Sequence, residues 1–98
     1  YDAIIMDPPS YGRGKKGEVW SIEKDFNELI SLCSNLLSND PLFLLVNTYT
    51  GGLSGTIIKN VVEMNIKNFK KVTFDEIGLK MKDTNMFLPC GITTICEF

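Results

Sequence analysis

The sequence contains no histidine and only three cysteines, Cys33, Cys90 and Cys96, none of them in a CxxC pair. Without histidine the commonest general base and metal ligand is missing, and thiols so unevenly spaced frame neither a zinc site nor a disulfide scaffold. No metal is expected, and the unpaired thiols point to a reducing, cytoplasmic setting. No apolar run approaches the roughly 20 residues that span a bilayer, so no membrane is expected as a partner. An excess of one charge is lacking as well. Ten Lys and Arg against twelve Asp and Glu give a net charge of −2, with no global pull toward nucleic acid or an anionic surface. A chain of 98 residues has room for one small domain at most. It carries no internal repeat and no low-complexity stretch.

What is present is concentrated at the start. Tyr1 to Met6 is an apolar run with no polar alternation in Ala3, Ile4, Ile5 and Met6, which predicts a strand buried on both faces of a parallel sheet. It stops at Asp7-Pro8-Pro9-Ser10-Tyr11, because prolines cannot donate to a sheet ladder. Asp7 is thereby placed at the carboxyl end of a buried strand, where open α/β sheets bind their ligands. Opening directly on a strand, with no signal peptide, the chain reads as the carboxyl-terminal piece of something longer.

Tyr11 to Val19 reads as a mobile loop of glycine, lysine and arginine. Ser21 is placed to cap a helix, with Glu23 and Asp25 in its first turn. Ile22, Phe26, Leu29, Ile30, Cys33, Leu36 and Leu37 recur at helical spacing up to the stop at Asn39-Asp40-Pro41. Trp20 sits where a hydrophobic staple would pack into the core. Leu42 to Val46 predicts a second strand buried on both faces, ending in the polar Asn47-Thr48-Tyr49-Thr50-Gly51-Gly52. Ser54 caps a shorter helix in which Ile57, Ile58, Val61, Val62 and Met64 face the core, ending at Asn65 or Asn68. Val72 to Ile77 and Gly91 to Phe98 alternate as two strands, the second with Ile92, Thr94, Cys96 and Phe98 on one face. About a dozen residues lie between them, a loop from Leu79 to Pro89 long enough to be functional. Two strands with no helix between them predict an antiparallel pair closing the sheet.

Asp7-Pro8-Pro9-Ser10-Tyr11 on a strand, followed by helix, strand, helix and an antiparallel pair, resembles the carboxyl-terminal half of a class I S-adenosylmethionine-dependent methyltransferase. The longer string from Asp7 to Trp20, DPPSYGRGKKGEVW, is similar to a bacterial group related to the large-subunit ribosomal RNA methyltransferases. The resemblance implies an α/β, Rossmann-like sheet of which these 98 residues are a single partial domain, strands four to seven. It implies S-adenosylmethionine as cofactor and a base in ribosomal RNA as substrate, with a protein or small-molecule substrate as the alternative. The glycine-rich loop and the acid that grips the ribose would lie upstream: there is no GxGxxG here, and Gly51-Gly52 follows the wrong strand. The isolated chain is therefore expected to be inactive.

Methyl transfer from a sulfonium needs little acid–base machinery, since the leaving group is neutral; it needs a nucleophile lone pair aimed at the methyl carbon. The Asp7 carboxylate and the Pro8 carbonyl can hold an amino group by its protons, with Pro9 keeping them rigid. Asp7 and Pro8 are also the residues expected beside the cofactor. Tyr11 can stack on an extruded base, although in the aminomethyltransferase pattern the aromatic follows the second proline directly and here Ser10 intervenes. Ser10, Arg13, Lys15 and Lys16 are candidate RNA contacts, and Asn47 and Tyr49 candidate pocket residues from the next strand end. Each has a plainer reading: Asp-Pro-Pro as a rigid turn, Tyr11 as a loop aromatic, the cations as a solvated loop, Asn47 and Tyr49 as an ordinary strand terminus. Methylation at carbon 5 of cytosine needs a thiolate. The second strand ends without cysteine, which favours an amine acceptor. Cys33 and Cys96 read as structural, and Cys90 remains an outside candidate. A further, non-enzymatic reading is an excised fragment that self-associates, as a dimer paired along the open edge of Tyr1 to Met6.

Overall fold

The structure is a computed structural model describing all 98 residues. In chain order its elements are β1 (Ala3–Met6), β2 (Tyr11–Arg13), β3 (Val19–Ser21), α1 (Ile22–Ser34), β4 (Phe43–Thr48), α2 (Gly55–Asn65), β5 (Lys71–Lys80) and β6 (Phe87–Glu97). Four strands form one sheet in the order β1-β4-β6-β5, and β2 pairs with β3 as a separate ribbon. β1 runs parallel to β4, with Ala3 opposite Phe43 and Met6 opposite Val46. β6 runs antiparallel to both β4 and β5. The sheet is thus mixed, with the parallel pair first and the antiparallel pair last, as the pattern of runs predicts.

Both helices pack on one face. The core joins Ile22, Phe26, Ile30 and Cys33 of α1 and Ile58 and Val62 of α2 to Leu44 and Val46, Val72 and Cys96 of the sheet. Fully burying side chains of this size stabilises the fold by about 1.5–3 kcal/mol each. The expectation of two-sided burial fails for both parallel strands. Leu44, Val46 and Thr48 are buried while Phe43, Leu45 and Asn47 are half-buried, and Ile5 is 69% exposed. The apolar runs have the composition of two-sided burial, but no element of this chain covers the second face.

α1 is shorter than its periodicity. Ser34 donates its hydroxyl to the Ser31 carbonyl at 2.7 Å, and the Asn35 side chain donates to that same oxygen at 3.2 Å. Side chains that bond locally compete with helix continuation. The helix stops at Ser34, leaving Leu36 53% exposed, instead of continuing to Asn39. At its start Ser21 occupies the capping position but its hydroxyl caps nothing; its N–H instead donates to Asp25 Oδ2 at 2.8 Å, a return bond from the fourth helical residue. α2 is capped as expected, Ser54 Oγ accepting from the Ile57 N–H at 3.3 Å. Ile58 and Val62 are buried and Val61 is half-buried, but Ile57 and Met64 face outward. The Asn65 side chain closes α2 by donating to Val61 O at 2.8 Å and fastens it to α1 by donating to Asn27 Oδ1 at 2.9 Å.

Two expected loops are ribbons. Tyr11 to Val19 forms the β2–β3 hairpin, Tyr11 opposite Ser21 and Arg13 opposite Val19. Gly14 N–H donates to Glu18 O at 2.8 Å to close it, and Gly17 takes a φ of 85° that favours glycine. The Leu79 to Pro89 stretch is mostly strand. β5 and β6 stay paired out to Lys80 opposite Phe87, and Met81 N–H closes the turn on Met86 O at 2.9 Å. Since β4 ends at Thr48 opposite Ile92, the pairs from Ile77–Gly91 onward run past it as a two-stranded ribbon. Its register shifts between Ile77 and Gly78, where Cys90 is the extra residue of a bulge.

Candidate active site

The parallel pairing of β1 and β4 brings two strand exits to one end of the sheet, Asp7-Pro8-Pro9-Ser10 beside Thr48-Tyr49-Thr50. A hydrogen bond of 2.6 Å between Ser10 Oγ and Thr50 Oγ1 ties them together. Two further bonds brace the first exit from behind: Trp20 Nε1 donates to Pro9 O at 2.7 Å, and the Ile22 N–H donates to Ser10 O at 3.1 Å. Pro8 is buried, so the backbone at this point is fixed by packing as well as by its ring.

Asp7 differs from its neighbours. It is exposed, and neither its carboxylate nor the Pro8 carbonyl takes any hydrogen bond or ion pair within the chain. The N–H groups that a turn aspartate would ordinarily take are missing here, because Pro8 and Pro9 carry none, so the carboxylate stays without a local partner. What the fold provides is two free acceptors on a braced backbone.

The other residues singled out from the sequence divide. Ser10 is a structural tie by its hydroxyl. Tyr11, 54% exposed in β2, accepts from Arg13 Nε at 2.9 Å, so its phenol is engaged by its neighbour on the same ribbon face while its ring stays accessible. Lys15 and Lys16 lie exposed at the β2–β3 turn, in neither of the two ion pairs, Lys59–Glu63 and Lys71–Glu97. That hairpin runs alongside α1, leaving a groove of about 410 Å³ whose lining runs from Pro9 through Arg13 and Glu18 to Leu32. The basic tip is therefore carried down the helix and away from Asp7. Asn47 lies on the uncovered face, its Oδ1 accepting from Thr93 Oγ1 at 2.7 Å, a cross-strand bond that does not point into the strand-end site. Tyr49 is 53% exposed and lines a cavity of about 320 Å³ with Thr50, Glu76 and Cys90.

The thiols sort by burial. Burial pushes the Cys33 thiol up, and burial pushes Cys96 up to about 11, with Glu63 and Glu97 adding to it. Both are protonated at neutral pH and unfit as nucleophiles. Cys90 is exposed at the bulge, its Sγ 3.4 Å from Leu88 O. The sequence reading missed Thr50 and Trp20 as braces, and it missed Glu76 as a cavity residue. A hydroxyl in a strand-exit loop and a tryptophan just before a helix carry no signal of their partners, because both bonds are long-range.

No family model matches the chain, and no curated protein matches it. Among solved structures it is similar to the SAM-dependent methyltransferase from Agrobacterium tumefaciens, with 25% sequence identity and a TM-score of 0.88. That likeness covers 99% of this chain and 33% of the other, so the chain spans about a third of its structural neighbour's length. The chain has the α/β fold of the carboxyl-terminal part of a Rossmann-like methyltransferase, a parallel strand pair closed by an antiparallel one.

Proposed function

We propose that these residues form strands four to seven of an S-adenosylmethionine-dependent methyltransferase that modifies an amino group on a base of RNA, ribosomal RNA being the substrate suggested by the Asp7 to Trp20 string. The observation that carries this reading is the pair of unused acceptors, Asp7 carboxylate and Pro8 carbonyl, on a backbone held by Trp20, Ile22 and Thr50. The fold likeness to a methyltransferase supports the reaction class.

The residues fit one end of such a cofactor and not the whole of it. Asp7 and Pro8 offer acceptors at the carboxyl end of β1, suited to the polarised methyl-bearing end or to the amine that approaches it. The glycine-bearing turn into a helix that the chain does have, Gly51-Gly52 ahead of α2, follows β4 and matches no GxGxxG, so the grip on the remainder of the cofactor belongs to chain outside these residues in this reading. When bound, S-adenosylmethionine supplies an electrophilic methyl on a sulfonium.

The task of the chain is positioning. The Asp7 carboxylate accepts one amino proton and the Pro8 carbonyl the other, which turns the nitrogen lone pair toward the methyl group. Such orientation replaces a bimolecular encounter with a held geometry. Once the nitrogen carries the methyl group, its surplus proton would leave through the Asp7 carboxylate to water. Tyr11, with its accessible ring, is the stacking residue for an extruded base.

The test is transfer of a labelled methyl group from S-adenosylmethionine to RNA by the full protein containing this chain, compared with Asp7→Ala. Label in RNA that vanishes with Asp7→Ala supports the reading; label appearing only in protein or in a small molecule replaces the substrate class.

A further inference from the structure

The far end of the β5–β6 ribbon has a composition that the fold does not use. Leu79 is 65% exposed, Phe87 63% and Leu88 57%, and Met81 and Met86 at the turn are exposed too. Apolar side chains gathered on a projecting element are uncommon on a surface that stays solvent-facing. Lys80 and Lys82 stand among them in no ion pair, with Asp83 the one acid between Leu79 and Leu88.

The ribbon's place gives this meaning. β6 is antiparallel to β4, so the ribbon leaves the sheet at the end where β4 and β1 finish, the end that holds Asp7. At its root, the cavity that Tyr49 and Cys90 line also takes in Glu76 and Pro89. The same Glu76 and Pro89 border a second hollow of about 520 Å³, formed with Gly78 and Phe87. Gly78 lets the two strands of the ribbon approach closely beside this hollow: a Cβ there would lie 2.8 Å from Leu88 O and 3.4 Å from Phe87 Cβ. The Glu76 carboxylate makes no hydrogen bond or ion pair in the chain. A free carboxylate thus lies between two exposed aromatic rings, Tyr49 on one side and Phe87 on the other.

We infer that this ribbon is a second binding element for single-stranded RNA, receiving the nucleotide next to the modified one. The flanking base stacks on Phe87 over Pro89, Glu76 accepts from its exocyclic amino group, and Lys80 and Lys82 meet the phosphates. Carboxylates select amino-bearing edges, as acids do for the N4 of cytosine, so cytosine and adenine are preferred over uracil. Stacking on exposed rings gives affinity without depending on which base is present, and lysines add a salt-dependent contribution. The inference rests on the methyltransferase reading for its substrate class and not for its geometry.

The experiment is fluorescence-anisotropy titration of the full protein containing this chain with a labelled single-stranded RNA of about eight nucleotides, the span of one such binding surface. Phe87→Ala is expected to weaken binding about tenfold and Phe87→Tyr to retain it, since one lost stack costs roughly that much. Lys80→Gln with Lys82→Gln lowers the slope of log affinity against log salt by about 1.4. Lys67→Gln, at the opposite end of the sheet, changes nothing. Glu76→Gln removes the preference for cytosine and adenine over uracil. Equal binding by wild type and Phe87→Ala, or no binding by wild type, overturns the inference. So does light scattering in which Phe87→Ala dissolves a dimer while RNA affinity stays unchanged, since the ribbon would then join two copies. Ribbon variants without effect beside methylation that depends on Asp7 sink this inference alone; the reverse pair of results leaves the ribbon and removes the methyltransferase reading.

Discussion

The Asp7 carboxylate makes no bond within the chain, whereas Ser10, Trp20 and Thr50 around it brace the strand exits. Asp7→Asn is therefore expected to leave thermal unfolding within about 0.5 kcal/mol of wild type, as for surface positions without partners, while abolishing methyl transfer in the full protein. A large loss of stability would show that its carboxylate is structural after all. Thr50→Val removes the 2.6 Å bond to Ser10 and is expected to cost about 1 kcal/mol, measured by denaturant unfolding, with a matching loss of activity as the two strand exits drift apart. Among the thiols, only Cys90 is exposed, so a thiol reagent applied to the folded chain labels one cysteine quickly and the other two only on unfolding. Rapid labelling of all three would mean that the packing of Cys33 and Cys96 is looser than described.

Elements show where a sequence speaks and where it stays silent. The β1 and β4 runs, the Ser54 cap and the helical spacing from Ile22 to Cys33 were legible because each is a local signal: an unbroken apolar run, a capping residue just ahead of a helix, or a repeat every third to fourth residue. The β2–β3 hairpin was not, since Tyr11 to Ser21 alternates weakly and its pairing rests on Gly17 and the Gly14–Glu18 closure. The length of the β5–β6 ribbon was hidden for a different reason: Cys90 inserts a bulge that shifts the alternation by one residue. Of the candidate site, the chain position of Asp7 and Pro8 could be read directly, but Asn47 points where the distant Thr93 holds it, and the placing of Arg13, Lys15 and Lys16 follows from the β2–β3 hairpin that the sequence did not announce. Gly91 marks the root of the ribbon, with φ 131° and the Thr48 carbonyl where a Cβ would sit. Gly91→Ala is expected to destabilise the fold by about 1–3 kcal/mol through strain and overpacking, read as a lowered denaturation midpoint. An unchanged midpoint would mean that the ribbon root relaxes freely.

At the scale of the whole molecule, one sheet face and both sheet edges are open. β1 and β5 stand at the two ends of the order β1-β4-β6-β5, and an unpaired edge is a template for another strand. We expect the isolated chain to associate with itself through β1, giving a concentration-dependent mass in light scattering; a monodisperse monomer at all concentrations would contradict this. Global stability also carries a pH signature. Cys96 has a folded pKa raised from 9.0 to about 11, so the neutral thiol favours the native state. That contribution is complete below pH 9, where folded and unfolded thiols are both protonated, and is lost as pH rises from 9 toward 11. Thermal unfolding followed between these limits should fall more steeply for wild type than for Cys96→Ala, with Cys33 adding in the same direction. Parallel curves would show that the thiol is not so shielded.

The central claim is that a braced, unpaired Asp7-Pro8 exit aims an amine on RNA at the methyl group of S-adenosylmethionine. Its most direct measurement is methyl incorporation into RNA by the full protein, wild type against Asp7→Ala, with both folded by circular dichroism. The account predicts incorporation by wild type and a loss of at least about a hundredfold in the variant, the scale of a removed positioning group. Undiminished incorporation by Asp7→Ala, or none into RNA by either protein, would contradict it.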